Sequence, residues 1–315
     1  MEYRRLGRSG IKVSALSFGS WLTFGDRLGE QEAKALMRQA SDAGVNFFDN
    51  AEVYGDGRSE EIMGAALKDF RRESLVVSTK LFWGGKGPND NGLSRKHILE
   101  GTNASLKRMR LDYVDLLYCH RADPDTPLSE TILAMDQVVR SGKALYWGTS
   151  EWSAAEIDEA HRIAKELGCI PPTMEQPQYN LFVRRRFEIE YAPLFERYGM
   201  GATIWSPLAS GMLTGKYNDQ IPRGSRLAGQ VWLMERWTDE RKEKVSALAV
   251  VAALFGASCA QLAIAWCLRR PHVSSVILGA TSKDQLAENL GALELAKRLD
   301  ETSMTRITRI FGMEK

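Results

Sequence analysis

The sequence predicts an α/β fold: a (β/α)8, or TIM, barrel with an N-terminal β-hairpin and long loops at the carboxyl ends of its strands. Short apolar runs alternate with amphipathic helical segments along the chain. Eight such runs follow the first dozen residues, each leading into a helical segment, and eight strand–helix units close a barrel. A polar or aromatic residue ends each run, at the end of the strand where barrel enzymes keep their chemistry. No stretch reads as a domain boundary, so residues 1–315 are expected to form a single barrel domain.

Tyr3 to Leu6 and Ile11 to Val13 flank Gly7-Arg8-Ser9-Gly10, the turn of a hairpin placed to plug one end of the barrel. Ala15 to Phe18 is the first barrel strand, ending at Gly19-Ser20-Trp21. A helix from Glu30 to Asp42 leads to strand Val45 to Asp49, a helix from Ser59 to Asp69 to strand Leu75 to Thr79, and a helix from Ser94 to Met109 to strand Tyr113 to Cys119. Helix Leu128 to Arg140 and strand Ala144 to Thr149 follow. The next helix, Ser153 to Leu167, opens with a Ser153-x-x-Glu156 capping box and keeps Ile157, Ala160, Ile163, Ala164 and Leu167 at helical spacing. Strand Thr173 to Glu175, helix Phe187 to Tyr198 and strand Gly201 to Trp205 come next. The stretch from Ala209 to Trp237 is irregular, glycine-rich and contains Pro222; loops of that length usually carry function, often as lids. Two helices, strand Ser274 to Leu278, helix Ser282 to Leu293 and a helix from Asp300 to Phe311 complete the chain.

With 44% hydrophobic and 26% charged residues, 315 residues suffice for a substantial core. A formal net charge of +2 points to neither nucleic acid nor an anionic membrane as a partner. Val245 to Leu268 is apolar enough to invite reading as a membrane span, but Gly256 and the Ser258-x-x-Gln261 capping box split it into two helices too short to cross. No membrane insertion is expected. Cys119, Cys169, Cys259 and Cys267 are scattered without a CxxC, which favours reduced thiols, and Met1 to Arg5 lacks the apolar core of a signal peptide. The expected location is cytoplasmic.

Asn46 to Gly55 carries the chemistry: an apolar strand ending in Asp49, with Tyr54 on the loop beyond it. A buried carboxylate needs a partner, and Lys80 closes the next strand. A lysine beside a tyrosine favours the phenolate and lowers the tyrosine pKa, which suits a proton donor for reduction or a base for oxidation. The barrel brings to the same face Ser20-Trp21, His120, Ser150, Gln176, Trp205-Ser206 and Gly279-Ala280-Thr281. Each has a blander reading. Asp49 and Lys80 suit a structural ion pair, His120 a hydrogen-bonded core histidine, and Trp205 plain core filling. The coincidence of all positions favours a proton-transfer site. His97, His161 and His272 have no ligand spacing, so no metal is expected.

Phosphate binding needs separate grounds. No GxGxxG follows a strand, and Gly84-Gly85-Lys86-Gly87 lacks the Ser or Thr of a P-loop. Thr281-Ser282-Lys283 sits at the amino end of the helix after the eighth strand, where N–H groups, the helix dipole and a lysine suit a phosphate, although Ser282-x-x-Gln285 is equally a capping box. The long loop offers Lys216 and Arg226.

These residues resemble the aldo-keto reductases over nearly the full length. The resemblance rests on Leu16-Ser17-Phe18-Gly19-Ser20-Trp21, Asp49-x-Ala51-x-x-Tyr54-Gly55, Ser78-Thr79-Lys80, Tyr113-Val114-Asp115-Leu116-Leu117 running into His120, Gly148-Thr149-Ser150, Glu175-Gln176, Trp205-Ser206-Pro207-Leu208, and Gly279-Ala280-Thr281 with Gln285, Glu288 and Asn289. Phe82 to Lys86, Leu93 to His97, Tyr146 to Ser150 and Gln261 to Leu268 are most similar to the potassium-channel β-subunit branch and its bacterial relatives.

The resemblance implies NADPH-dependent reduction of a small aldehyde or ketone, with NADPH/NADP+ as cofactor. Tyr54 would protonate the carbonyl oxygen, Lys80 paired with Asp49 would tune it, and His120 would orient the carbonyl. Ser20, Trp21, Asp49 and Gly279 would border the cofactor, Trp205 would stack on the nicotinamide, and Ser150 and Gln176 would bind its carboxamide. Ser206, Leu208, Ser210, Lys216 and Arg226 would hold the pyrophosphate side. Thr281, Lys283, Gln285, Glu288 and Asn289 would take the adenine and 2′-phosphate. Trp21, Tyr54, Trp83 and His120 would line the substrate pocket. The branch also implies a homo-oligomer, a tetramer, and a second reading: an NADP(H)-binding regulatory or redox-sensing subunit with little turnover. The channel β-subunits carry asparagine where this chain has His120, which sides with turnover. Glu151 stands where many reductases have asparagine, and Arg27 replaces a glutamine of the β-subunits. A third reading, a lyase with Lys80 as Schiff base, conflicts with Asp49, which would keep the lysine charged.

Overall fold

The computed structural model describes residues 1–21, 23–25 and 28–313. Gly7 turns the chain with φ +59°, so Tyr3–Arg5 (β1) and Lys12–Ser14 (β2) pair antiparallel. A Cβ at Gly7 would meet the carbonyl oxygen of Gly199 at 2.2 Å, so only glycine lets this turn press against the loop before Gly201. Leu6 and Val13 are fully buried and share a cluster with Phe47, Val76, Leu116, Tyr118, Met174 and Ile277. The hairpin therefore stoppers the barrel, as expected.

The barrel strands and helices alternate in the predicted order. Leu16–Gly19 (β3) leads to helix Glu30–Asp42 (α1), Phe47–Asp49 (β4) to Arg58–Leu67 (α2), Val76–Leu81 (β5) to Arg95–Met109 (α3), and Val114–Cys119 (β6) to Leu128–Arg140 (α4). Ala144–Thr149 (β7) leads to Ala154–Leu167 (α5), and Met174–Glu175 (β8) to Ala192–Tyr198 (α6). Gly201–Ile204 (β9) is followed by the long loop with the short helix Val231–Met234 (α7), then Asp239–Leu254 (α8) and Cys259–Leu268 (α9). Val273–Leu278 (β10), Lys283–Leu290 (α10), Ala292–Arg298 (α11) and Glu301–Phe311 (α12) finish the chain. All neighbours from β3 round to β10 are parallel, and β10 pairs with β3 to close an eight-stranded barrel. The fold class is that read from the sequence.

Two segments differ in detail. The helix expected from Phe187 to Tyr198 is a π-turn, Arg186–Glu190, followed by α6. Pro193 has no N–H and is tolerated only in a first helical turn, so the helix restarts around it. The helix expected from Ser282 to Leu293 breaks at Gly291, where a Cβ would sit 2.6 Å from Gln261 Nε2. The apolar stretch from Val245 to Leu268 is divided as expected: Ser258 and Gln261 form the capping box of α9, and α8 and α9 meet at 86°. Among the described residues no single helix is long and apolar enough to cross a membrane.

Candidate active site

Strand periodicity builds the centre. In the β4–β5 register Asp49 lies opposite Ser78, and Lys80, two residues on, points to the same face as Ser78. Both reach the same carboxylate. Ser78 Oγ donates to Asp49 Oδ1 at 2.7 Å and Lys80 Nζ to Asp49 Oδ2 at 2.7 Å. Gln176 Nε2 also donates to Asp49 Oδ1 at 3.0 Å. Lys80 is fully buried, and its ammonium spends its other protons on the Asn50 carbonyl at 2.7 Å and the Tyr54 hydroxyl at 3.2 Å. Tyr54 reaches back because Gly55, Asp56 and Gly57 take left-handed φ values of +57°, +51° and +86°, turning the loop sharply into α2.

Burial pulls the Lys80 pKa down, but Asp49 and Tyr54 together hold it above the ordinary value, so the amine stays charged and is no Schiff-base nucleophile. The expected lowering of Tyr54 is corrected. Burial of the phenol raises its pKa, and the opposing charge of Lys80 does not overcome that, with Asp49 adding to the rise. Tyr54 thus keeps its proton at neutral pH. His120 hangs from β5 by its N–H to Leu81 O at 2.9 Å, with its ring edge-on to Tyr54 at 5.9 Å and against Trp83 at 5.1 Å. Burial, then the charges of Lys80 and Arg121, push its pKa well below the ordinary value, leaving a neutral imidazole. Its buried Nδ1 has no hydrogen-bond partner among the described residues, so it is not the satisfied core histidine of the blander reading.

Around this centre the aromatic residues expected to border the pocket do assemble. Trp21 lies 6.5 Å from Tyr54 and edge-on to Trp205 at 5.8 Å. Trp21 and Trp83 remain over a third exposed, an opening between aromatic walls. Ser20 is buried and ties β3 to β4 through Asp49 O, its N–H and Oγ both at 3.1 Å. Ser150 Oγ donates to Gln176 O at 2.8 Å. Both residues sit at the ends of neighbouring strands, already engaged with the protein.

Glu151 is explained by its contacts. With φ +60° it turns its carboxylate to accept from Trp205 Nε1 at 3.0 Å and from the Gln178 N–H, while Arg186 Nη1 pairs with it at 2.9 Å. It fixes the indole of Trp205 in place. Below it, buried Glu175 accepts from Glu151 N at 2.6 Å and from Thr149 Oγ1. Sequence reasoning gave neither glutamate a structural role, because each acts across strands.

The nucleotide end is looser. Ser206, Ala209 and Ser210 hold φ of +55°, +47° and +58°, and Gly211 +92°, so the chain turns tightly after β9, with Ala209 N donating to Ser206 O and Gly211 N to Leu208 O. Leu208 is half-buried in that turn. Lys216 is exposed, and the Arg226 guanidinium lies 4.5 Å over the Trp21 ring. At α10, Thr281 N and Oγ1 both donate to Gln285 Oε1 at 3.0 and 3.1 Å, while Ser282 caps the helix through Gln285 N. Gly279, Lys283, Gln285 and Glu288 are exposed and Asn289 is buried. Arg27 lies outside the described residues. An indole fixed by Glu151, with the cationic side chains of Lys216, Arg226 and Lys283 at this end of the barrel, suits the aromatic ring and the phosphates of a dinucleotide. Among the described residues no group of three or more His, Cys, Asp or Glu side chains gathers to hold a metal.

Comparison with known proteins agrees with this geometry. Residues 15–311 match the aldo/keto reductase family. The chain is 54% identical to a protein of Oryza sativa subsp. japonica named probable voltage-gated potassium channel subunit beta, over 98% of this chain and 96% of that one. It is 53% identical, over the same shares, to a protein of the same name from Arabidopsis thaliana. The chain belongs to the aldo/keto reductase family.

Proposed function

We propose that this member of the family is an NADPH-dependent carbonyl reductase that converts an aldehyde or ketone to the alcohol. The observation that carries the reading is the buried ammonium of Lys80 joining Asp49 to the Tyr54 hydroxyl, with the neutral ring of His120 beside them. When bound, NADPH would supply a hydride. Tyr54, protonated because it is buried, gives its proton to the carbonyl oxygen, and Lys80 stabilises the phenolate left behind. His120 offers an N–H to the same oxygen, and Asp49 holds Lys80 charged and aimed. Trp205, with Ser150 and Gln176 at the neighbouring strand ends, would carry the nicotinamide; Ser206, Leu208, Ser210, Lys216 and Arg226 the pyrophosphate; Thr281, Lys283, Gln285, Glu288 and Asn289 the adenosine end. Trp21, Trp83 and His120 would line the pocket around the carbonyl.

Tyr54→Phe removes the proton and leaves the pocket's shape. Turnover of simple aldehydes should fall at least ~1,000-fold, within the range of a lost general acid plus its charge partner, while NADPH still quenches tryptophan fluorescence. Wild-type rates in this variant would sink the mechanism.

The names of the two relatives favour a second reading, a subunit of a channel assembly; on that reading this chain would bind the cofactor with little turnover, as a cytoplasmic homo-oligomer. Steady multiple turnovers by the purified protein support the enzyme. A single NADPH oxidised per chain, without further cycles, supports the regulatory subunit.

A further inference from the structure

Arg121 follows His120 and stands on the same wall of the pocket. Its guanidinium lies over the Trp83 ring, with Cζ 5.3 Å from the centroid, and Trp83 in turn contacts His120. Several other buried or half-buried arginines face carboxylates: Arg72 with Asp115, Arg108 with Glu60, Arg184 with Glu188 and Arg186 with Glu151. Arg121 forms no ion pair among the described residues, and there its one hydrogen bond runs from Nη1 to the carbonyl of His120. The nearest acidic residue in sequence, Asp123, is committed elsewhere, to Leu93 N, Asp125 N and the Thr126 hydroxyl. A half-buried guanidinium with donors to spare, stacked on an aromatic wall, is a carboxylate receptor: its planar fork matches two carboxylate oxygens, and partial desolvation strengthens the pairing.

We propose that Arg121 recognises a carboxylate on the substrate, so that the preferred substrates are aldehydes or ketones bearing an acidic group on the Trp83 side of the pocket. This rests on the reductase reading and narrows it. The Arg121 charge is also felt at both Tyr54 and His120, which places it near the reacting carbonyl. Trp21 and Trp83, each over a third exposed at the opening of the pocket, suit an aryl spacer between carbonyl and carboxylate.

The test compares 4-formylbenzoate with its methyl ester, two aldehydes that differ in the charge. Wild type should prefer the acid by tenfold or more in kcat/KM, chiefly through KM. In Arg121→Met, which keeps length and apolar contact with Trp83, that preference ratio should fall at least tenfold; Arg121→Lys, which keeps charge without the fork, should restore part of it. An equal loss for both aldehydes, a wild type without preference, or a matching loss of NADPH affinity would overturn the assignment. If neither aldehyde is turned over, the reductase reading fails on its own. Titration of benzoate then still decides Arg121: binding by wild type that is lost in Arg121→Met supports it, and no binding overturns it.

Discussion

Lys80 at the end of β5 and Lys283 at the start of α10 lie at the same end of the barrel, and they live in opposite surroundings. Lys80 is wholly buried and shares its protons among Asp49, Asn50 and Tyr54. Lys283 is exposed on the first turn of α10, and its backbone carbonyl accepts from Gln39 Nε2. The inner end is ordered by folding itself, with charges desolvated before any ligand arrives. At the outer end the lysines stay hydrated, and Gln285 caps donors that a phosphate would otherwise use. Substitutions inside should therefore strike stability and chemistry together, whereas substitutions outside should strike affinity alone.

The largest expected effect is at Lys80. Lys80→Met strands the buried Asp49 carboxylate and should cost about 3–5 kcal/mol, read by urea denaturation at neutral pH. Pairing it with Asp49→Leu should recover much of that loss, because no unpaired charge remains. A cost below about 1 kcal/mol for the single variant would erase the distinction between the two ends.

Glu175 sharpens the contrast within the inner end, since it is as buried as Asp49 but forms no ion pair among the described residues, with Arg186 only a weak counter-charge. Burial raises its pKa to about 8. Between the ordinary 4.5 and about 8 the folded chain holds a proton that the unfolded chain releases, so raising the pH favours unfolding. The contribution to stability should fall by about 1.4 kcal/mol per pH unit across that window and level off above it. Glu175→Gln, with no proton to lose, should flatten this slope in denaturation curves taken from pH 5 to 9. An unchanged slope would assign the pH dependence to other groups.

The smallest effect belongs to the rim. Lys283→Ala should weaken NADPH about tenfold, roughly 1.4 kcal/mol, with NADH affinity little changed and stability within about 0.5 kcal/mol. Equal losses for both dinucleotides would remove Lys283 from the 2′-phosphate.

How much was legible follows the range of the interactions. Asp49 and Lys80 were readable because strand periodicity and apolar runs are local signals, and so was the division at Gly256 and Ser258. The anchoring of Trp205 by Glu151 was not, since it joins the loop after β7 to the end of β9, and nothing in either segment encodes the meeting. The direction of the Tyr54 shift was missed for a related reason. Its charge partner is near in sequence pattern, but the burial that outweighs it comes from packing. The restart of the helix at Pro193 was readable from proline chemistry and was passed over.

Closure of the barrel has a consequence for how the chain comes into being. Ser275 Oγ donates to Ser14 O across 261 residues of sequence and is hydrogen-bonded to Ser17 Oγ, and β10 completes the hydrogen bonding of β3. The first barrel strand is therefore made well before its partner and waits for the whole chain between β3 and β10 to emerge before its open edge is covered. Such long-range pairing folds slowly and leaves unpaired edges exposed meanwhile. The nascent protein, far more than the finished one, is the form that needs protection from aggregation.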